Sequence, residues 1–205
     1  MTGPIEDLVG RRPELAACAE DLALALRALV RCFSAGGKLL LCGNGGSAAD
    51  CEHFAAELLK GFEHRRPLGA AARRRLRPEL GEKLQGALPA IPLTGFPALA
   101  TAFANDVEPQ LVFAQLAWAL GQPRDVLLGI STSGNSLNVC RAAEAARARR
   151  MTVVALTGKG GGNLRRLADV CVRAPGGDVA EVQQAHLAIY HALSRALEAE
   201  FFGRP

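Results

Sequence analysis

No two of the six cysteines, Cys18, Cys32, Cys42, Cys51, Cys140 and Cys171, stand in a CxxC spacing, and most fall on apolar strand or helix positions. That excludes a zinc cluster built on paired thiolates and a disulfide framework, and leaves buried thiols. No apolar run is long enough to span a bilayer. Met1 to Arg12 contains acidic residues and lacks a basic start followed by an apolar core, so the expectation is a cytoplasmic protein with no membrane partner. The net charge of +4 is small and much of the excess sits in one local cluster, which argues against nucleic acid as a partner. With 49% apolar and 21% charged residues in 205, disorder is excluded and a single domain over residues 1–205 with a substantial core is expected.

What is present alternates regularly. Pro13 suits the first turn of a helix, and Leu15, Leu22, Leu24, Leu26, Leu29, Val30 and Phe33 carry a helical pattern to Gly36-Gly37, predicting an N-terminal helix over about residues 12–35. Strand-like segments recur at Lys38 to Cys42, Pro89 to Leu93, Asp125 to Ile130, Thr152 to Leu156 and Val170 to Val172, and a last helix spans about Val179 to Phe202. Continuous apolar strands separated by helices mean an α/β fold with a parallel sheet covered on both faces. Leu68 to Leu88, with Arg73-Arg74-Arg75, Arg77 and several alanines, breaks the alternation and reads as an insertion, either a solvated helical excursion or a lid.

Two strands deliver the chain into anion-binding turns. Leu39 to Cys42 runs into Gly43-Asn44-Gly45-Gly46-Ser47, and Asp125 to Ile130 runs into Ser131-Thr132-Ser133-Gly134-Asn135-Ser136. Each turn opens a helix, where free N–H groups and hydroxyls favour an anion. Neither carries a Walker lysine, so a phosphomonoester suits them better than a nucleotide, and no nucleotide cofactor is expected. On the helix after the first turn, His53 and Glu57 stand four residues apart, on one face about one turn from each other. Gln183, His186 and His191 add polar groups to the otherwise apolar last helix, and Asn105-Asp106 adds a polar pair where loops gather at the carboxyl ends of strands.

In order along the chain, Cys-Gly-Asn-Gly-Gly-Ser at 42–47, His-Phe-Ala-Ala-Glu at 53–57, Asn-Asp at 105–106, Gly-Ile-Ser-Thr-Ser-Gly-Asn-Ser at 129–136 and Leu-Thr-Gly-Lys at 156–159 resemble the sugar isomerase (SIS) family, most closely its phosphoheptose isomerases. Those enzymes convert sedoheptulose 7-phosphate to glycero-manno-heptose 7-phosphate. The resemblance implies a three-layer fold with a five-stranded parallel sheet and a homotetramer with active sites between subunits. It further implies substrate contacts from Asn44, Gly45, Gly46, Ser47, Glu57, Asn105, Asp106, Ser131, Thr132, Ser133, Ser136 and Gln183. Glu57 and His191 match the catalytic pair, and His53, Glu57, Gln183 and His191 match a zinc site reported for some members. Gln183 and His191 are eight residues apart, about 12 Å along a helix, so one ion would need long converging side chains or two subunits.

The implied chemistry suits these residue types. Aldose–ketose interconversion through an enediol needs a base for a carbon-bound proton and an acid for the carbonyl oxygen; Glu57 is the natural base and His191 the natural acid. Two positions depart from the family pattern: Gly61 replaces an arginine, preceded by Lys60, and Ala180 replaces an aspartate, with Asp178 and Glu181 nearby. A non-catalytic alternative, an SIS protein that binds a replication initiator, is disfavoured by the retention of Glu57 and His191; a sugar-phosphate sensor or an isomerase for another phosphosugar is separated from the leading reading only by substrate profiling.

Overall fold

In the computed structural model, which describes residues 3–203, five strands form one sheet: β1 (Leu39–Cys42), β2 (Ala90–Pro92), β3 (Val126–Ser131), β4 (Thr152–Gly158) and β5 (Val170–Ala174). Every pairing is parallel and the order is β2-β1-β3-β4-β5. Helices are α1 (Pro4–Arg11), α2 (Ala19–Ser34), α3 (Gly46–Leu59), α4 (Ala70–Arg73), α5 (Pro78–Lys83), α6 (Pro97–Asp106), α7 (Val112–Leu120), α8 (Leu137–Ala148), α9 (Leu164–Leu167) and α10 (Val179–Phe202).

The strands are apolar on both faces because both faces are covered. Since successive side chains alternate, Leu39, Leu41, Val126, Leu128 and Val154 join one core with residues of α2, α3 and α10, while Leu40, Cys42, Leu127, Val153 and Ala155 join the other with residues of α7, α8 and α9. The result is three layers. Each buried leucine of β1 adds about 1.5–3 kcal/mol relative to exposure, so the sheet centre is the most costly place to disturb. All six cysteines are free, five of them buried; burial pushes the Cys42 thiol up to about 12, out of reach of metal or redox chemistry at neutral pH.

The expected helix over 12–35 divides. Pro13–Cys18 forms a 3-10 turn, Cys18 leaves helical dihedrals (φ −119°, ψ 9°), and α2 starts at Ala19. The apolar periodicity of Leu15 and Leu22 does not register this break, because both residues are buried all the same. A separate helix, α1, precedes it, with Pro4 in its first turn, Glu6 and Asp7 at the positive end and Arg11 bonded back to Asp7 at 3.1 Å. Within 68–88, two short helices, α4 and α5, are closed at the base by an antiparallel bridge between Pro67 and Gln85. Arg73, Arg74, Arg75 and Arg77 are all exposed, the solvated face of a helical excursion. No described helix is long and apolar enough to cross a membrane.

Candidate active site

The strand order reverses between β1 and β3: from β1 the chain moves outward to β2, then returns to place β3 on β1's other side. Open parallel sheets form their ligand crevice outside the carboxyl ends of the strands at such a switch point. Both anion turns leave from these two strands, the first into α3 and the second into α8. They are tied together by a reciprocal amide pair, Asn44 Nδ2 donating to Asn138 Oδ1 at 2.9 Å and Asn138 Nδ2 to Asn44 Oδ1 at 2.8 Å. Asn138 has no mark in the sequence, since nothing local shows that an asparagine inside α8 meets one beyond β1. The pairing uses one N–H and one oxygen lone pair of Asn44's amide, so its backbone, its second amide N–H and its remaining lone pair are what it offers a ligand.

In the second turn, Ser131 and Ser136 hydroxyls lie 3.0 Å apart, and Ser133 Oγ accepts from Asn135 N at 3.1 Å. Gly134 has φ +68° and its Cβ position is filled by the backbone of Gly161, so only glycine turns the chain here. Neither Gly45 nor Ser136 caps its helix through a side chain; in α8 the N–H of Val139 is taken by Asn138 Oδ1 at 3.0 Å, and the N–H groups ahead of it face the turn. A cavity of about 340 Å³ lies against Thr132, Ser133, Lys159 and the start of α10 at Val179 and Val182. A larger cleft of about 870 Å³ is bounded by Glu63, His64, Arg195 and Glu198 and does not touch the turns.

The helices α3 and α10 lie side by side, and their contacts bring His53, Glu57 and His191 together. His53 Nε2 is 3.3 Å from Glu57 Oε1 and 3.5 Å from His191 Nε2. The other Glu57 oxygen accepts from Lys60 Nζ at 2.7 Å, which puts a cation one residue before Gly61. Burial lowers His191 from the ordinary histidine value, as do the nearby His53 and Arg195, with Glu57 opposing; its neutral form therefore dominates near pH 7. Tyr190, stacked on Phe54 with ring centroids 5.5 Å apart, places its hydroxyl 2.9 Å from His53 Nδ1 and 3.3 Å from Asp50 Oδ1. Burial raises the Asp50 carboxyl, with the Tyr190 hydrogen bond and His53 opposing.

Three of the four residues in the implied zinc set thus converge, and two imidazole nitrogens with a carboxylate suit zinc in kind. Gln183 lies elsewhere: its amide fills the space where a side chain on Gly46 would sit, at the start of α3, while His53 is seven residues further along, about 10 Å. Among the described residues, no three His, Cys, Asp or Glu side chains are arranged to hold a metal. The donors agree with zinc and the single-chain arrangement does not, so no chemical step is routed through it. Asn105 and Asp106 are not in a loop but in the last turn of α6, exposed and bonded to each other at 2.9 Å. His186 differs from the other polar groups of α10. It is fully buried, neither ring nitrogen has a hydrogen-bond partner among the described residues, and burial lowers it to about 4, the Thr157 backbone opposing only in part.

A buried ion pair fixes the end of α3. Arg66 Nε meets Glu198 Oε1 at 2.8 Å, while its other nitrogens donate to the carbonyls of Leu58 at 2.8 Å and Glu57 at 3.1 Å. Glu198 also accepts from the backbone N–H groups of Phe62, Glu63 and His64 at 2.8–3.1 Å. The guanidinium closes the negative end of the helix carrying Glu57 and bolts it to α10, which carries His191. Sequence reasoning missed both residues; the only local sign was an arginine just past a helix end.

Comparison with known proteins places the fold in a family. The SIS domain family matches residues 13–74 and 84–158. A phosphoheptose isomerase from Shewanella baltica is 43% identical over 186 residues, covering 89% of this chain and 85% of that one. The chain belongs to the phosphoheptose isomerase family of SIS-domain proteins. Among solved members of that family, the phosphoheptose isomerase from Francisella tularensis superposes with a TM-score of 0.77 at 36% identity, covering 94% of this chain and 93% of that one. The one from Neisseria gonorrhoeae gives 0.76 at 34%, with 95% and 94% covered. Between the two matched stretches, residues 75–83 go unmatched, and they fall within the segment that carries α4 and α5.

Proposed function

We infer that the protein is a phosphosugar isomerase converting sedoheptulose 7-phosphate to D-glycero-D-manno-heptose 7-phosphate through an enediol. The observation that carries this reading is the meeting of Glu57 and His191 around His53, on helices that both begin beside the anion turns. The phosphate is received by the hydroxyls and N–H groups of 131–136 and by the first turn at 44–47. Glu57 takes the proton from the carbon next to the carbonyl, and His191 gives one to the carbonyl oxygen; the reverse exchange on the adjacent atoms completes the aldose. From Val182, at the anion cavity, to His191 is about 13 Å along α10. Helical side chains lean toward the N-terminus, which shortens that gap, and a long phosphorylated sugar fits it better than a three-carbon one.

The substrate contacts of Asn105, Asp106 and Gln183 belong to the same proposal. So does a homotetramer with shared sites, supported by exposed apolar residues on the layer-forming helices, such as Leu24 of α2 and Leu187 of α10. Were zinc bound, His53, Glu57 and His191 would supply the donors that meet, and Gln183, packed against Gly46, would not reach them within one chain. A cytoplasmic site of action accords with a phosphorylated substrate. The test is incubation with sedoheptulose 7-phosphate and shorter ketose phosphates while aldose formation is followed. Conversion of the heptulose is expected; no conversion of any ketose phosphate sinks the reading.

A further inference from the structure

We propose that Asn138 is a positioning residue: it turns the amide of Asn44 so that an N–H, not the carbonyl oxygen, faces the bound phosphosugar, and it ties the two anion turns into one receptor. The orientation starts from a backbone donor. Val139 lies in the first turn of α8, where an N–H has no carbonyl partner within the helix, and it donates to Asn138 Oδ1 at 3.0 Å. A backbone N–H can only donate, so the oxygen of Asn138, not its nitrogen, faces Val139. That choice fixes the second amide as well. Asn138 Oδ1 accepts from Asn44 Nδ2 at 2.9 Å, and Asn138 Nδ2 donates to Asn44 Oδ1 at 2.8 Å. With Asn44 turned over, two oxygens would meet at one end of the pair and two NH2 groups at the other.

The pair bridges 94 residues of sequence and joins the turn after β1 to the helix that follows the turn after β3. Asn44 is exposed and Asn138 half-buried, so hydrogen bonds, not packing, hold the two amides in register. Both lone pairs of Asn138 Oδ1 are in use, and each of the two nitrogens keeps one N–H. The N–H that Asn44 keeps stands just ahead of α3, where the positive end of the helix draws a negatively polarised oxygen; a carbonyl oxygen presented there would repel it. The consequence for the ligand rests on the isomerase reading, because it takes a phosphosugar as what the turns receive.

The experiment is a double-mutant cycle read by KM and kcat for sedoheptulose 7-phosphate. Asn138→Ala removes both bonds to Asn44. Asn138→Asp keeps acceptors for Val139 N–H and Asn44 Nδ2, and its charge suits a helix N-terminus, but it has no proton for Asn44 Oδ1. Each is expected to raise KM about fivefold, the size of one hydrogen bond, with kcat within about twofold; a role limited to starting α8 would be rescued by the aspartate. In an Asn44→Ala background the same two substitutions should add less than about twofold, because the amide they act through is gone. Loosened turns, or the aspartate's charge acting directly on the ligand, would raise KM there too. An unchanged KM in Asn138→Ala, or effects of full size in the Asn44→Ala background, overturns the proposal. The pairing itself is read without substrate, as a nuclear Overhauser contact between the two side-chain NH2 groups in protein labelled with ¹⁵N-asparagine. Absence of that contact overturns the positioning whatever the activity. Protein that shows the contact yet converts no ketose phosphate refutes the isomerase reading and leaves the orientation of Asn44 intact.

Discussion

The two halves of the candidate site are built by different means. The anion half is made of turns in which neighbours in sequence are neighbours in space: Ser131 meets Ser136 and Ser133 meets Asn135. The acid–base half is made across about 130 residues, where His53 meets Tyr190 and His191, and Arg66 meets Glu198. A phosphate site needs only donors converging at a helix start, which a strand-turn-helix supplies by itself. Proton transfer needs groups of different chemistry held within hydrogen-bond reach, and here the carboxylate of Glu57 and the ring of His191 come from different helices and meet through His53. The first half should therefore govern binding and the second turnover, and each can be disturbed without the other.

The sharpest way to separate them is Glu57→Gln. The shape of the residue and the Lys60 contact are retained in part, the base is lost, and general-base catalysis of this kind contributes about 10²–10⁴-fold. Exchange of the substrate's C1 or C2 hydrogen with deuterated water should fall by that factor while the affinity for the phosphosugar, measured by calorimetry, stays near its original value. Wild-type exchange in this variant would remove Glu57 from the chemistry. A large loss of affinity would instead merge the two halves.

A second, smaller effect distinguishes the halves by pH. His186 sits on α10, the helix that carries His191, and in the native state it resists protonation until about pH 4, against an ordinary value of 6.5. In the unfolded chain the ring takes up its proton first. The stability it lends is thus complete above about pH 6.5 and is lost progressively as the pH falls toward 4, for a total of about 3 kcal/mol. Urea midpoints at pH 7 and pH 4.5 should show a steeper decline for the native sequence than for His186→Leu, which fills similar space without a titrating ring. Equal declines would mean that the ring finds a partner on protonation.

The same asymmetry sets how much the amino-acid sequence makes legible. All five strands and the last helix stand where apolar runs and periodicity put them, since burial on both faces of a parallel sheet leaves an unbroken apolar record. The serine turn is equally plain. Asp50, Tyr190, Asn138, Arg66 and Glu198 are not, because each does its work through a partner on another element, and an isolated tyrosine or arginine on an amphipathic helix carries no mark of its contact. The division of the N-terminal helix at Cys18 is hidden for a related reason: Leu15 and Leu22 are buried on either side of the break, so the pattern of buried positions survives a change of helix type.

The smallest predicted effect tests the anion half alone. Ser133 is exposed at the crest of its turn, and its hydroxyl oxygen accepts one backbone N–H, from Asn135 at 3.1 Å; the hydroxyl proton remains for a ligand. Ser133→Ala removes a hydrogen bond to a charged phosphate, about 1.5–3 kcal/mol, which is roughly a ten- to hundredfold weaker Kd for the phosphosugar. Gly134, with its positive φ, and the Ser131–Ser136 contact preserve the turn without it. Because nothing in the Glu57, His53 and His191 group contacts this hydroxyl, kcat at saturating substrate should hold while KM rises. A fall in kcat with KM unchanged would show that the phosphate turn also aligns the reacting carbons, and the division between a binding half and a turnover half would fail at its simplest point.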